Sequence, residues 1–170
     1  MRVLIPAALT GLLASPVLAA DMNVKVEIPK LNVAEYHKPY VAVWVERPDQ
    51  SVAANLSLWY DIKKNENAGT KWLKDLRQWW RHVGRDLTVP IDGVTGATQA
   101  PGEHQLNYQS GKAPLGNLPA GDYKLVVEAS REGGGREVVR VPFSWPPKVP
   151  QSLSAKGVDE LCAVALNLTP

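Results

Sequence analysis

Seven consecutive residues, Asp92-Gly93-Val94-Thr95-Gly96-Ala97-Thr98, bring together two hydroxyls, one carboxylate and a backbone left bare by small side chains. Gly93 and Gly96 can take positive φ at no steric cost. Nothing in the run favours a helix or fills a core, so it reads as an exposed loop that presents threonines. A threonine hydroxyl is a weak nucleophile at neutral pH and reacts only beside a base or metal that activates it. The loop has no such pair, so the activating groups have to come from elsewhere. The competing reading is an ordinary polar turn, since Asp-Gly and Thr-Gly are common turn signals.

The rest of the chain offers few other chemical sites. His37, His82 and His104 are far apart in sequence, and none has the acids or second histidine at the spacing a metal site needs. No Ser-His-Asp arrangement stands out. Cys162 is the only cysteine, which excludes an internal disulfide and a C-x-x-C-H haem attachment site. Its apolar surroundings, Leu161 to Leu168, indicate a buried, inert thiol.

The elements that position the loop are mainly strands. Met22–Ile28 alternates with Val24, Val26 and Ile28 on one face, and Tyr40–Glu46 alternates with Val41, Val43 and Val45. Ala54 to Ile62 repeats the pattern through Leu56, Leu58 and Tyr60. This period of two predicts half-buried antiparallel strands. Trp72, Leu73, Leu76, Trp79, Trp80 and Val83 then fall at helical spacing, after Thr70 as a cap and before Gly84 as a stop. They predict one amphipathic helix laid across an end or edge of a sandwich, with the tryptophans in its core.

Leu87 to Ile91 is an extended link into the threonine loop, stiffened by Pro90, and Pro101-Gly102 turns the chain just beyond it. Strands are expected over Glu103–Gln109, Lys124–Ala129 and Val138–Trp145, with Gly133 to Gly135 as a hairpin tip. Lys148 to Gly157 reads as a link and Leu161–Leu168 as a last strand. Leu118, Asp122 and Tyr123 resemble the tyrosine corner of immunoglobulin-like domains. The expected fold is therefore an immunoglobulin-like antiparallel β-sandwich with one inserted amphipathic helix.

Residues 1–20 read as a leader: Arg2, a short apolar run from Val3 to Leu13, and the small-residue signal Val17-Leu18-Ala19, with cleavage after Ala19 or Ala20. Pro6, Gly11 and Pro16 interrupt the run, which argues against a membrane anchor, and no later segment is long and apolar enough to span a bilayer. The expectation is an exported periplasmic protein, with residues 21–170 forming one domain. The net charge of +2 comes from interspersed charges of both signs, which gives no reason to expect a nucleic acid or an anionic membrane as partner.

The order Asp-x-x-Thr-Gly-Ala-Thr resembles the acceptor motif of proteins that carry covalently bound FMN. In such proteins an ApbE-type flavin transferase joins the FMN phosphate to the hydroxyl of the last Ser or Thr, here Thr98. The same pattern occurs in flavin-bearing subunits of sodium-pumping NADH:quinone reductase and of Rnf complexes. The mature chain as a whole also resembles a family of predicted periplasmic proteins of unknown function. The matching features are Val43-Trp44-Val45-Glu46, the Trp-rich segment from Lys71, the Asp92–Thr98 loop and Pro119-Ala120-Gly121-Asp122-Tyr123. Members of that family are encoded beside PepSY-type membrane proteins and flavin transferases.

What the resemblance implies is a non-enzymatic electron carrier. FMN would be linked to Thr98 by a phosphodiester, within a site formed by Asp92, Gly93, Thr95, Gly96 and Ala97. His104 is a candidate contact for the phosphate or the ring, and Trp79, Trp80 and Trp59 are candidates to pack on the ring. The implied partners are an ApbE-type transferase and a PepSY-type membrane reductase. Two other classes remain open. One is a ligand-binding sandwich with Trp44 and Trp59 lining a sugar or peptide site; the other is an accessory subunit without a cofactor.

Overall fold

In a computed structural model, which describes residues 19–170, the alternating segments pair into two sheets. Nearly all of the expected leader lies outside the described residues. The strands are β1 (Asp21–Ile28), β2 (Tyr40–Glu46), β3 (Val52–Tyr60), β4 (Thr95–Ala97), β5 (Gly102–Gln109), β6 (Gly121–Ser130), β7 (Arg136–Trp145), β8 (Gln151–Lys156) and β9 (Ala163–Thr169). One sheet has the order β5-β1-β9-β8 and the other β4-β3-β2-β6-β7. All pairings are antiparallel except β3 with β4, which is parallel.

The period-two pattern determines which side chains meet. Val24, Val26 and Ile28 of β1 face Val41, Val43 and Val45 of β2 across an apolar core, joined by Leu125 and Val127 of β6 and by Leu166 and Leu168 of β9. The sandwich and its tyrosine corner are as expected: the Tyr123 hydroxyl donates to the Pro119 carbonyl at 2.7 Å. Residues 148–157, expected to be a link, instead contain β8, which pairs with β9 from Gln151 to Lys156. Leu153 and Ala155 of β8 pack on the core while Ser152, Ser154 and Lys156 face out.

The strands β2, β3 and β6 are buried on both faces, not half-buried, because the segment between β3 and β4 covers the outer face of their sheet. This segment is not the single helix expected. It is a 3-10 stretch over Asn65–Asp75, a break at Leu76, a six-residue helix α1 (Arg77–His82) and a 3-10 turn over Gly84–Asp86. Thr70 does not cap it; its hydroxyl donates to the Asn67 carbonyl. The break lets Leu73, Leu76 and Trp79 all descend onto Trp44, Leu58 and Val126. Burial of each such side chain contributes roughly 1.5–3 kcal/mol, so the insertion is bound by packing and not by its own helicity.

Glu128 of β6 sets the direction of α1. It is fully buried, and its carboxylate accepts the N–H groups of Gln78 (3.1 Å) and Trp79 (2.8 Å) at the start of the helix. The Arg136 guanidinium donates to it at 3.1 Å. The Trp79 indole N–H donates to Asn55 Oδ1 at 3.0 Å, tying the helix to β3 as well. Glu128→Ala leaves the two helix N–H groups without acceptors and is expected to lower stability by about 1–3 kcal/mol. The urea midpoint measures the loss; an unchanged midpoint would show that the insertion is held without this carboxylate.

Candidate functional site

The threonine stretch is built by one turn and one pairing. The N–H groups of Val94 and Thr95 donate to the Ile91 carbonyl at 3.2 and 2.9 Å, and Thr95 Oγ1 accepts the Ile91 N–H at 2.8 Å. Gly93 closes this turn at φ +71°, as its position suggested. Val94 is buried, and its carbonyl accepts the Leu58 N–H at 2.9 Å. Thr95, Gly96 and Ala97 then run as β4 beside Leu58, Trp59 and Tyr60. The Thr98 N–H extends the ladder by one bond, to the Tyr60 carbonyl at 3.2 Å.

The expectation of an exposed loop is thus corrected. Asp92 and Gly93 are exposed, but Thr95 to Thr98 form a half-buried sheet margin, because a buried valine and a backbone ladder hold them down. Gly96 is not there for positive φ. A Cβ on it would lie 3.3 Å from Trp59 Cδ1, so the glycine lets the strand close over the indole. The two hydroxyls differ in consequence. That of Thr95 is committed to the turn, whereas that of Thr98 takes part in no hydrogen bond among the described residues.

Thr98 opens on a cleft of about 930 Å³, at the upper end of the size range of small-molecule sites. Tyr36, Lys38 and Tyr40 form one wall, Trp72, Asp75 and Arg77 of the insertion another, and the hairpin from Ser130 to Arg136 a third. Its charges are mixed: Asp61, Asp75 and Glu132 share the lining with Lys38, Lys64 and Arg77. Burial pushes the Tyr36 phenol up, and Arg131 offsets this only partly; burial likewise raises Tyr40. Both therefore stay protonated. Tyr40 donates to the Gly69 carbonyl at 3.0 Å, while the buried Tyr36 hydroxyl has no partner among the described residues.

The hairpin wall is anchored by two carboxylates. Glu160 takes a two-pronged grip from Arg131, at 2.9 and 3.0 Å, and accepts the Gly135 N–H at 2.7 Å. Glu137 accepts the N–H groups of Val158, Asp159, Glu160 and Leu161. Burial alone would raise Glu137, but these four backbone donors outweigh it and hold the carboxyl below its ordinary range.

The other expected site residues separate into two groups. His104 does reach the stretch: its Nε2–H donates to the Ala100 carbonyl at 2.7 Å, and its ring meets Trp59 edge-on at 5.6 Å. It thereby braces the chain beyond Thr98. Trp79 is buried against β3 and does not face the cleft, and Trp80 packs beside it, because both belong to the core under the insertion. Trp44 and Trp59 are buried too, so neither lines an open sugar or peptide site. Cys162 is half-buried and not fully buried, with a thiol raised by burial and by the nearby Glu27 and Glu137. The tryptophan that does line the cleft is Trp72, which is 45% exposed. Sequence spacing assigned it to the core, and nothing local distinguishes it from Trp79.

These features define a β-sandwich protein with a threonine, unbonded among the described residues, lining a polar, partly aromatic cleft. The chain belongs to the family described as predicted periplasmic protein (DUF2271), which it matches over residues 21–163. Comparisons with curated proteins and with solved structures find no match. Among the described residues, no helix is long and apolar enough to cross a membrane, and no cluster of His, Cys, Asp and Glu could hold a metal ion.

The Glu137 anchor makes a pH prediction. Its folded pKa lies below the unfolded value of roughly 4.3, so its contribution is complete above that pH and is lost as pH falls through the folded pKa. Wild type should therefore lose stability relative to Glu137→Gln below about pH 4.3, read from urea midpoints at a series of pH values. A difference between the two proteins that stays constant from neutral to acid pH would overturn this.

Proposed function

We propose that this chain is a periplasmic carrier of covalently bound FMN. Thr98 is the attachment residue, an ApbE-type flavin transferase loads it, and a PepSY-type membrane protein is the reductase beside which it works. The observation that carries the reading is the contrast between two hydroxyls of one motif. Thr95 is bonded into the turn, while Thr98, at the position where the acceptor motif is modified, lines the cleft with its hydroxyl unbonded among the described residues. The family's periplasmic description agrees with the compartment.

Loading is a phosphoryl-type transfer, governed by positioning and electrostatics. A bond forms between Thr98 Oγ1 and the FMN-side phosphorus of FAD, and the pyrophosphate bond breaks. AMP leaves with the bridging oxygen, and the hydroxyl proton passes to a base of the transferase. The chain is thus a substrate first and a carrier afterwards, not an enzyme. Asp92, exposed at the head of the turn, is placed to meet the transferase or its metal. Bound FMN supplies redox chemistry, and the protein supplies its position and surroundings. Cleavage of the leader after Ala19 would keep Ala20, which is buried and whose carbonyl accepts the Ser110 N–H at 2.9 Å, in the mature protein.

Full-length protein exported with an ApbE-type transferase should be yellow, begin at Ala20, and gain the mass of FMN less one water on the peptide holding Thr98. Thr98→Ala should stay colourless with stability within about 0.5 kcal/mol of wild type. Thr95→Ala should still load, while losing about 1 kcal/mol with the Ile91 bond. A colourless wild type, or flavin mapped to Thr95, would refute the assignment.

A further inference from the structure

We propose that the cleft beside Thr98 is the seat of the flavin ring, with Trp72 covering the ring and Tyr36 and Arg77 meeting its polar edge; this rests on Thr98 being the attachment residue. Three observations lead to it. The first is Trp72 itself. A large aromatic left 45% exposed, directly before the buried Leu73 and close in the chain to the buried Leu76 and Trp79, requires an explanation. Its indole lines the same cleft as Thr98. An aromatic ligand laid against it would bury apolar surface and stack on a π face.

The second observation is the Tyr36 hydroxyl, buried in the cleft wall without a hydrogen-bond partner among the described residues. Such a group is costly unless a ligand or solvent satisfies it. The phenol is held protonated by its burial, so it can donate. The pyrimidine half of a flavin ring presents carbonyl oxygens that accept such a bond.

The third observation is Arg77, an exposed cation on the cleft wall that forms no ion pair with any described residue. The wall's other arginines differ, since Arg131 is bound to Glu160 and Arg136 to Glu128. Negative charge gathers on the pyrimidine carbonyls when a flavin is reduced. A hydrogen-bond donor and a cation at that edge therefore favour the reduced form over the oxidised one. Trp79 and Trp80, which the sequence put forward as ring contacts, are committed to the core on the far side of the insertion.

The experiment uses full-length protein loaded by co-expression with the transferase, with the flavin quantified by mass before any spectrum is read. In loaded wild type the flavin emission should be strongly quenched relative to free FMN, because an indole in contact with the ring quenches it. Trp72→Ala should raise the emission several-fold and Trp72→Phe should restore most of the quenching. Tyr36→Phe and Arg77→Gln should each move the reduction potential to more negative values. Lys112→Gln, on a loop away from the cleft, should change neither quantity. Trp72 and Arg77 are exposed, so these variants should keep the wild-type circular dichroism. If every variant carries flavin on Thr98 yet matches wild type in emission and potential, the ring lies elsewhere and only this inference falls. If wild type carries no flavin, the attachment reading fails and this inference with it.

Discussion

A carboxylate buried in the outer face of a sheet has to be met by donors, and in this protein those donors are the first N–H groups of a helix. Glu128 lies at full burial on β6, and the backbone of Gln78 and Trp79 together with Arg136 surrounds it. A buried charge is tolerated only when its partners hold good geometry. The requirement therefore runs both ways: the carboxylate fixes where α1 begins, and α1 makes the carboxylate tenable. Once the helix is fixed there, Leu73, Leu76 and Trp79 cover Trp44, Leu58 and Val126, and the middle strands of the sheet become buried on both sides. Trp72, one residue before Leu73, is left facing the cleft.

The cleft is accordingly made of pieces that belong to different parts of the chain. The insertion provides one wall and the β6–β7 hairpin another, while Thr98 reaches the cleft from the end of the edge strand β4. The hairpin is not left to sway, because Glu160 and Glu137 tie it to the β8–β9 connection through side-chain and backbone donors. A site assembled this way depends on long-range contacts throughout. Only the turn that opens the acceptor stretch, from Ile91 to Thr95, is local.

That division explains what could be read from the sequence. Valine alternation in β1 and β2 marks strands because at least one face of each must be apolar, and both are strands in the structure, one in each sheet. The tyrosine corner was legible for a similar reason, since Tyr123 bonds only four residues back. The strand β8 was not, because Ser152, Ser154 and Lys156 alternate with only Leu153 and Ala155, between Pro150 and Gly157. Helical spacing from Trp72 to Val83 was real but misleading: it cannot register a break at Leu76 that a carboxylate some fifty residues later imposes. The acceptor stretch was legible as a motif, yet its burial was not, since Val94 is held by Leu58 of a distant strand. Tyr36, Trp72 and Arg77 carry no shared sequence signal and meet only through the fold.

One consequence concerns the margins of the five-stranded sheet. Its β4 side offers only three residues of paired backbone, and its β7 side carries Pro142, which has no N–H to give. Exposed strand edges invite identical chains to zip together, and brevity and proline are two ways in which proteins blunt them. Here both borders of one sheet are blunted, so that at high concentration neighbouring copies find little main chain on which to crystallise into fibrils.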